Sequence, residues 1–257
     1  MNRVTLVALF AGALAACNSA PSSQGNIAVF GNSYVVSFVT PYAPEISRLP
    51  VRWYSMAVPG QLAIADILSY GRVGQNIDAP AGWALIRDDS IESAPPIRQT
   101  LYWHVVSADD SDTQIWKFKE PVDAQGAIVL LDNMDINSPL DASTGNVGGG
   151  NLPTAKSVVT TRRSDLIMLA YATNYSGPGL GPLLPSTPEA VHVLIPGMSR
   201  LLDRSDEINE YWIDATYQAT EGSTPNSICV IVQNSAWVAA QIALRTRGSE
   251  AGVIPKR

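Results

Sequence analysis

Short runs of apolar residues, separated by glycine, proline, asparagine and aspartate, recur along almost the whole chain. Helical periodicity, in which apolar residues return every three or four positions, is nearly absent. In residues 99–107 the alternation is clean, because Leu101 and Trp103 fall on one side of an extended strand and Tyr102 and His104 on the other. This pattern predicts antiparallel strands with one face turned toward a core.

The composition of the apolar runs and their flanking turn residues mark the strands. The predicted strands are 27–30, 34–40, 51–56, 61–70, 83–87, 99–107, 113–119, 127–132, 155–161, 165–172, 190–195, 208–217, 227–233 and 236–245. Three runs, 126–132, 165–172 and 227–233, are apolar almost throughout, which favours central strands covered on both sides. Many short strands indicate two packed sheets. We therefore predict an all-β fold, a two-sheet antiparallel sandwich of jelly-roll or concanavalin-like type.

Two stretches interrupt the pattern. Residues 145–153 (GNVGGGNLP) predict a flexible loop, and residues 176–188 are so rich in glycine and proline that they cannot form a central strand or a helix. Long loops inside a compact domain are often functional. The stretch 176–188 is therefore a place where individual specificity could be built.

The amino terminus predicts export. Residues 4–16 are uncharged, too short to span a bilayer, and of the length of a signal-peptide core. Leu14-Ala15-Ala16-Cys17 resembles the lipobox of bacterial lipoproteins. The resemblance implies that residues 1–16 are a signal peptide and that Cys17 receives lipid, whose two or three acyl chains would hold the protein on a membrane. An ordinary signal peptide that happens to contain a cysteine is the alternative.

The mature chain is expected to have three parts. Residues 17–25 are polar and read as a flexible tether, residues 26–247 as one sandwich domain, and residues 248–257 as a tail. Asn18, rather than aspartate, follows the cysteine; in a Gram-negative host this resembles cargo sorted to the outer membrane. We therefore expect a protein that is lipid-anchored to the cell envelope.

Composition and charge exclude several function classes. The chain is 46% apolar and 16% charged, so that it can form a packed core. The net charge is −6 and no basic run occurs, which disfavours nucleic-acid binding and electrostatic attraction to anionic lipid. With Cys17 lipidated, Cys229 would be alone, and we interpret it as a buried thiol.

A second resemblance covers most of the mature chain. Its landmarks are APAGW (79–83), LYW (101–103), IWKF (115–118), NSPLDA (137–142) and AWVAAQ (236–241). Together they are similar to a β-sandwich module of secreted bacterial proteins and some phage tail proteins. The resemblance implies a sandwich found on surface and adhesive proteins, and it carries no catalytic residues. The chain departs from the module at the insert 176–188 and at Asn137-Ser138-Pro139.

Acidic and aromatic clusters supply the candidate sites. Asp132, Asp135 and Asp141 could offer hard oxygen ligands to Ca²⁺, although aspartates in such loops also form ordinary turns. No other cofactor is expected. Aromatic side chains that stack on sugars, together with a carboxylate, could bind a ligand. These candidates are Trp53, Tyr175, Tyr211, Trp212 and Asp214.

No catalytic set is visible in the sequence. His104 and His192 are the only histidines, and both lie in apolar strands, which favours structural roles. We therefore expect a surface binding or adhesion protein that recognises a glycan or a protein partner. The alternatives are an enzyme acting on polysaccharide through Asp214 or Glu210, and a structural lipoprotein of the envelope. Fold alone does not choose among them.

Overall fold

The computed structural model describes residues 27–30, 33–53, 57–92, 96–174, 191–192, 199–205, 210–218, 220–230 and 234–247, and the regular elements in this part are all β-strands. In chain order they are β1 (Ile27–Phe30), β2 (Ser33–Arg52), β3 (Leu62–Tyr70), β4 (Ile77–Asp78), β5 (Ala84–Ile91), β6 (Ile97–Val105), β7 (Thr113–Leu131), β8 (Leu140–Gly150), β9 (Thr154–Ala155), β10 (Val159–Thr160), β11 (Asp165–Asn174), β12 (Val191–His192), β13 (Ser199–Ser205), β14 (Glu210–Gln218), β15 (Gly222–Ser223), β16 (Ser227–Val230) and β17 (Ser235–Leu244). The described part contains no helix that is long and apolar enough to cross a membrane.

Two antiparallel sheets form the body of the protein. The first sheet has the order β1-β2-β7-β3-β6-β5, with β4 beside β7, and the second has the order β13-β14-β11-β17-β8. Alternate residues of both sheets meet in one buried core, in which Leu62 and Ile64 of β3 belong to the same cluster as Val238 and Ile242 of β17. The predicted all-β antiparallel sandwich is confirmed; jelly-roll or concanavalin-like connectivity stays a prediction.

The first sheet is covered on its outside by its own long strands. The register between β2 and β7 shifts repeatedly between Thr40 and Arg48, where Pro41 and Pro44 interrupt the ladder. Beyond the shifts, residues 48–52 pair with 113–117; we call this pair of segments the ribbon. Leu49, Val51 and Trp116 of the ribbon are buried in a cluster with residues of β3 and β6.

Gly126 of β7 lies beneath the ribbon. A Cβ atom there would meet the side chains of Ile67, Leu49 and Val51 at 2.9–3.1 Å. The close approach of the ribbon therefore depends on a residue without a side chain at this point. The strand predicted at 34–40 and the beginning of the one predicted at 51–56 belong to a single strand, β2, and those predicted at 113–119 and 127–132 belong to β7, apart from residue 132.

The second sheet is covered differently, by short strands. Residues 151–161 and 220–230, which we call the strap, carry β9, β10, β15 and β16. Ala155 and Val158 of the strap are buried with Ile167, Leu169 and Tyr171 of β11. Gln241 of β17 also donates a hydrogen bond from Nε2 to Thr224 Oγ1 at 2.6 Å. A few apolar contacts and a set of polar ones thus hold the strap.

The prediction of a flexible loop at 145–153 is wrong for most of its length. Residues 145–150 belong to β8 and pair with 235–240 of β17. The indole of Trp237 lies against Gly148, where a Cβ atom would collide with the ring. The aromatic ring thus covers the glycine backbone of an edge strand, and the run of glycines is ordered by its neighbour. The insert 176–188, the segments 1–25 and 248–257 and Cys17 lie outside the described residues.

Candidate functional site

Two aspartates meet at the end of the second sheet where β8 and β11 begin. The register between β8 and β17 shifts so that Ala142 pairs with Ala243 and Leu140 with Leu244, which leaves Asp141 at a bulge. Asp165 is the first residue of β11, on the other side of β17. The two carboxyl groups, from strands that flank β17, therefore come together beside its last residues.

Four donor contacts surround the Asp141 carboxylate, whose side chain is 0% exposed. Thr161 donates from its backbone N at 2.6 Å and from Oγ1 at 2.5 Å. Arg245 donates from Nε at 3.2 Å and from Nη2 at 2.9 Å. Burial alone would raise the pKa of Asp141, but hydrogen bonds from Thr161, Arg245 and Asp165 outweigh it and lower the pKa to about 2.

The Asp165 carboxyl group has the opposite surroundings. It is fully buried, and no hydrogen-bond donor among the described residues reaches either of its oxygens. Burial first, and then the hydrogen bond and the charge of Asp141, raise the pKa of Asp165 to about 7. A neutral acid can itself donate a proton to Asp141, whereas a carboxylate in this place would be an unpaired charge. Between about pH 2 and pH 7 the pair therefore holds one proton, and Asp165 carries it.

The predicted calcium residues are held by protein groups in this structure. Asp141 is occupied by Thr161 and Arg245, and Asp132 Oδ1 accepts a hydrogen bond from Gln61 Nε2 at 2.8 Å. Asp135 forms a turn by accepting from the backbone N of residues 137 and 138, and it lies 3.7 Å from Arg162. Within the described residues, no three His, Cys, Asp or Glu side chains group so that they could hold a metal. Both oxygens of Asp141 accept hydrogen bonds from protein donors, so this carboxylate is not presented to a cation here, and the calcium site stays a prediction without support from these contacts.

The candidate ligand residues do not form one described surface. Trp53 and Asp214 are each 1% exposed, so neither side chain is presented to solvent. Tyr211 and Trp212 lie in β14, opposite residues 172 and 171 of β11, and their side chains are outside the described part, as is the whole of Tyr175. The burial of Trp53 and Asp214 does not favour the predicted sugar contact.

Trp53 instead belongs to an aromatic cluster beneath the ribbon. Its ring centroid lies 6.0 Å from that of Trp83 and 6.1 Å from that of His104. His104 Nδ1 lies 3.0 Å from the carbonyl oxygen of Gly82, and Nε2 lies 2.7 Å from Asp110 Oδ2. These partners hold His104 in place among the tryptophans.

A group of exposed apolar side chains lies on the strap. The large apolar residues that the described part exposes are Val58, Leu85, Val147, Leu152, Val159 and Ile228. Three of these belong to the strap, and Ile228 pairs with Thr154, two positions after Leu152.

Sequence reasoning missed both groups. Asp141 is far along the chain from its three neighbours Asp165, Thr161 and Arg245. They come together because β17 pairs with both β8 and β11. The one local signal was an acid opening the apolar run 165–172, which was predicted to be a central strand. Ile228 was assigned to another such strand, although β16 pairs only with the short strands β9 and β12.

No protein-family model matches the chain, and no curated protein and no solved structure is significantly similar to it.

Proposed function

We propose that the chain is a lipid-anchored protein of the bacterial cell envelope that binds a protein partner through the outward surface of the strap. Exposed aliphatic residues on the strap are the observation that carries this proposal. Leu152 is 51% exposed, Val159 65% and Ile228 46%, on a layer that lies outside the sandwich core. Apolar side chains grouped on a surface are a feature of interaction sites.

A protein partner accounts for these residues better than a glycan does. Leucine, valine and isoleucine contribute apolar area, as the centre of a protein interface requires, whereas sugar sites rely on flat aromatic rings. Among the described candidates for such rings, Trp53 is buried. The alternative function, an enzyme that acts on polysaccharide, has less support, because the side chain of Asp214 in β14 is buried and not presented to a substrate.

The anchor part of the proposal is supported by the sequence of residues 14–17 (LAAC). Two or three acyl chains on Cys17 would bind a membrane stably, and the polar residues after it would hold the sandwich away from the surface. A tethered domain of this kind presents the strap to other envelope proteins. The outer membrane, as suggested by Asn18, is the proposed location.

The binding surface is tested by site-specific crosslinking in intact envelopes. A photo-crosslinking amino acid is placed at Val159 or at Ile228 of the full lipidated chain, and at exposed Lys117 of the ribbon as a control. We expect one adduct with the same protein from both strap positions, no such adduct from position 117, and its loss when Leu152→Asp is added. The same adduct from all three positions, or no strap adduct, would refute the binding surface.

The anchor is tested separately by mass spectrometry of the membrane fraction. We expect a peptide that begins at Cys17 and carries acyl groups, and we expect the Cys17→Ala variant to be neither acylated nor cleaved before residue 17. An amino terminus at any other residue, without lipid, would contradict the lipoprotein proposal. This result would leave the crosslinking result on the strap unaffected.

A further inference from the structure

We propose that Asp141 and Asp165 form a proton-dependent clamp that fastens the end of the strap to the second sheet in mild acid and loosens it as the pH rises to neutrality. The proposal does not depend on the identity of any partner. It rests on which groups surround each carboxyl group and on the segments that these groups join.

The location of the proton follows from the contacts. Asp141 accepts hydrogen bonds from both the backbone and the hydroxyl group of Thr161 and is paired with Arg245. Asp165 is fully buried, and no donor in the described part of the chain reaches either of its oxygens. An aspartate with these surroundings is most stable as the neutral acid, donating to its neighbour.

The segments joined at this point explain why the pair acts as a clamp. Asp141 belongs to the bulge in β8, Asp165 begins β11, Arg245 follows β17, and Thr161 ends the first segment of the strap. Arg245 also donates to Ser138 Oγ, in the loop before β8. One carboxylate thus connects three strands of the sheet with the covering layer.

The charges that face Asp165 come from three elements. Asp141 opposes its ionisation, while Arg245 and Arg162 favour it. Arg245 already forms a salt bridge with Asp141, and Arg162 lies beside Asp135. On β14, the residue paired with Asp165 is the uncharged Gln218. Loss of the proton therefore places a second negative charge beside Asp141 in a buried site, with both nearby arginines already paired.

The end of the strap and the turn that follows it are the part of the structure that can open. Thr161, Arg163 and Ser164 are exposed, and Ser164 has a φ of 63°, in the left-handed region that serine seldom adopts. The neighbouring strands β8, β11 and β17 are instead continuous members of the second sheet. When Asp165 ionises, opening of the turn 161–164 therefore lets water reach the carboxylate and reduces the cost of its buried charge.

The sign of the pH dependence follows from the raised pKa. Between the ordinary aspartate value near pH 4 and about pH 7, the closed clamp holds a proton that the open or unfolded chain has released. Closure is therefore favoured below pH 4 and weakens as pH rises, by roughly tenfold in its equilibrium constant per pH unit, with no further loss above about 7. Asp141 acts in the opposite sense, because its lowered pKa costs stability only as pH falls from about 4 toward 2.

Two variants separate the proton from the contact. Asp165→Asn keeps a donor for Asp141 and cannot ionise, whereas Asp109→Asn changes an exposed carboxylate in the loop between β6 and β7, outside the pair and the groups that face it. In hydrogen exchange corrected for the intrinsic effect of pH, we expect residues 158–161 of the wild-type protein to lose protection at least tenfold between pH 5 and pH 7.5. We expect the Asp165→Asn protein to keep its protection, and the Asp109→Asn protein to behave like the wild type.

A second measurement needs no variant. In carbon NMR of the side-chain carboxyl groups, one aspartate of the wild-type protein should titrate near pH 7, and the signal should disappear in Asp165→Asn. The proposal is overturned if every described aspartate has already ionised at pH 5. It is equally overturned if Asp165→Asn retains the wild-type loss of strap protection.

Discussion

The two outer faces of the sandwich are covered in different ways. The ribbon over the first sheet continues from β2 and β7 and buries Trp53, Trp83 and Trp116. The strap over the second sheet consists of short segments, held by hydrogen bonds around Asp141 and Thr224. Apolar burial does not titrate, whereas a carboxyl pair does. The comparison suggests that the cover over the first sheet depends mainly on apolar burial, whereas the cover over the second sheet responds to pH through the Asp141–Asp165 pair.

The largest loss of stability is expected from Trp116→Ala. The side chain is fully buried beneath the backbone of the ribbon, its ring lies 5.2 Å from that of Trp83, and no described group accepts a hydrogen bond from its indole N–H. The loss is therefore a packing loss of about 3–5 kcal/mol in the free energy of unfolding, measured by urea denaturation. It should be nearly the same at pH 5 and pH 7.5. A loss below about 1 kcal/mol would show that the ribbon is not a packed layer.

Gly148→Ala should be costly on the other sheet. The new methyl group would collide with the Trp237 ring, so overpacking should lower the free energy of unfolding by about 1–3 kcal/mol. Gly149→Ala is the matched control, because the nearest atom to its Cβ is 3.8 Å away. Thermal denaturation of the two variants decides the point. Equal melting temperatures would mean that Trp237 does not cover the glycine run.

Asp110→Ala tests the polar contact within the aromatic cluster. The substitution removes the acceptor for His104 Nε2 and for the backbone N of Ser107, and leaves a polar group of a nearly buried ring unpaired. We expect a loss of about 1–2 kcal/mol in urea denaturation. Asp109→Ala, at an exposed neighbour, should change the free energy of unfolding by less than about 0.5 kcal/mol. A similar loss in both variants would argue against a specific role of the His104–Asp110 contact.

The smallest effect on stability is expected from Ile228→Ser. The side chain is 46% exposed, so the free energy of unfolding should change by less than about 0.5 kcal/mol. The strap adduct formed from position 159 should nevertheless be lost in intact envelopes. Retention of that adduct would separate the exposed strap residues from partner binding.

The alternation of apolar and polar residues, together with the turn residues between the runs, predicted most of the strands of the sandwich. These signals are local, so they can be seen in the sequence without knowing which strands pair. The strand predicted at 61–70 is β3 to within one residue, and β1 has the predicted bounds. The bend of β2 was not predictable in this way, because Pro41 and Pro44 end a strand by local rules but here only shift its register. Glycines 148–150 predicted a loop for the same reason, and the ring of Trp237 that orders Gly148 comes from a distant strand.

The site was less predictable than the fold. Asp141 attracted attention as an acid in an Asp-rich stretch, which could bind Ca²⁺ or form ordinary turns. Its observed partners, Thr161 and Arg245, depend on the order of strands in the second sheet and on a bulge. Likewise, composition alone suggests that Trp53 could bind a sugar, and only the ribbon decides that it is buried.

The most direct test is to follow hydrogen exchange of the ribbon and of the strap in the same wild-type sample at pH 5 and pH 7.5, corrected for the intrinsic rate. We expect residues 158–161 to lose at least tenfold in protection at the higher pH, while residues 114–117 and 49–52 lose almost none. Equal losses in both layers, or none in the strap, would contradict the central claim that only the strap is held by a proton.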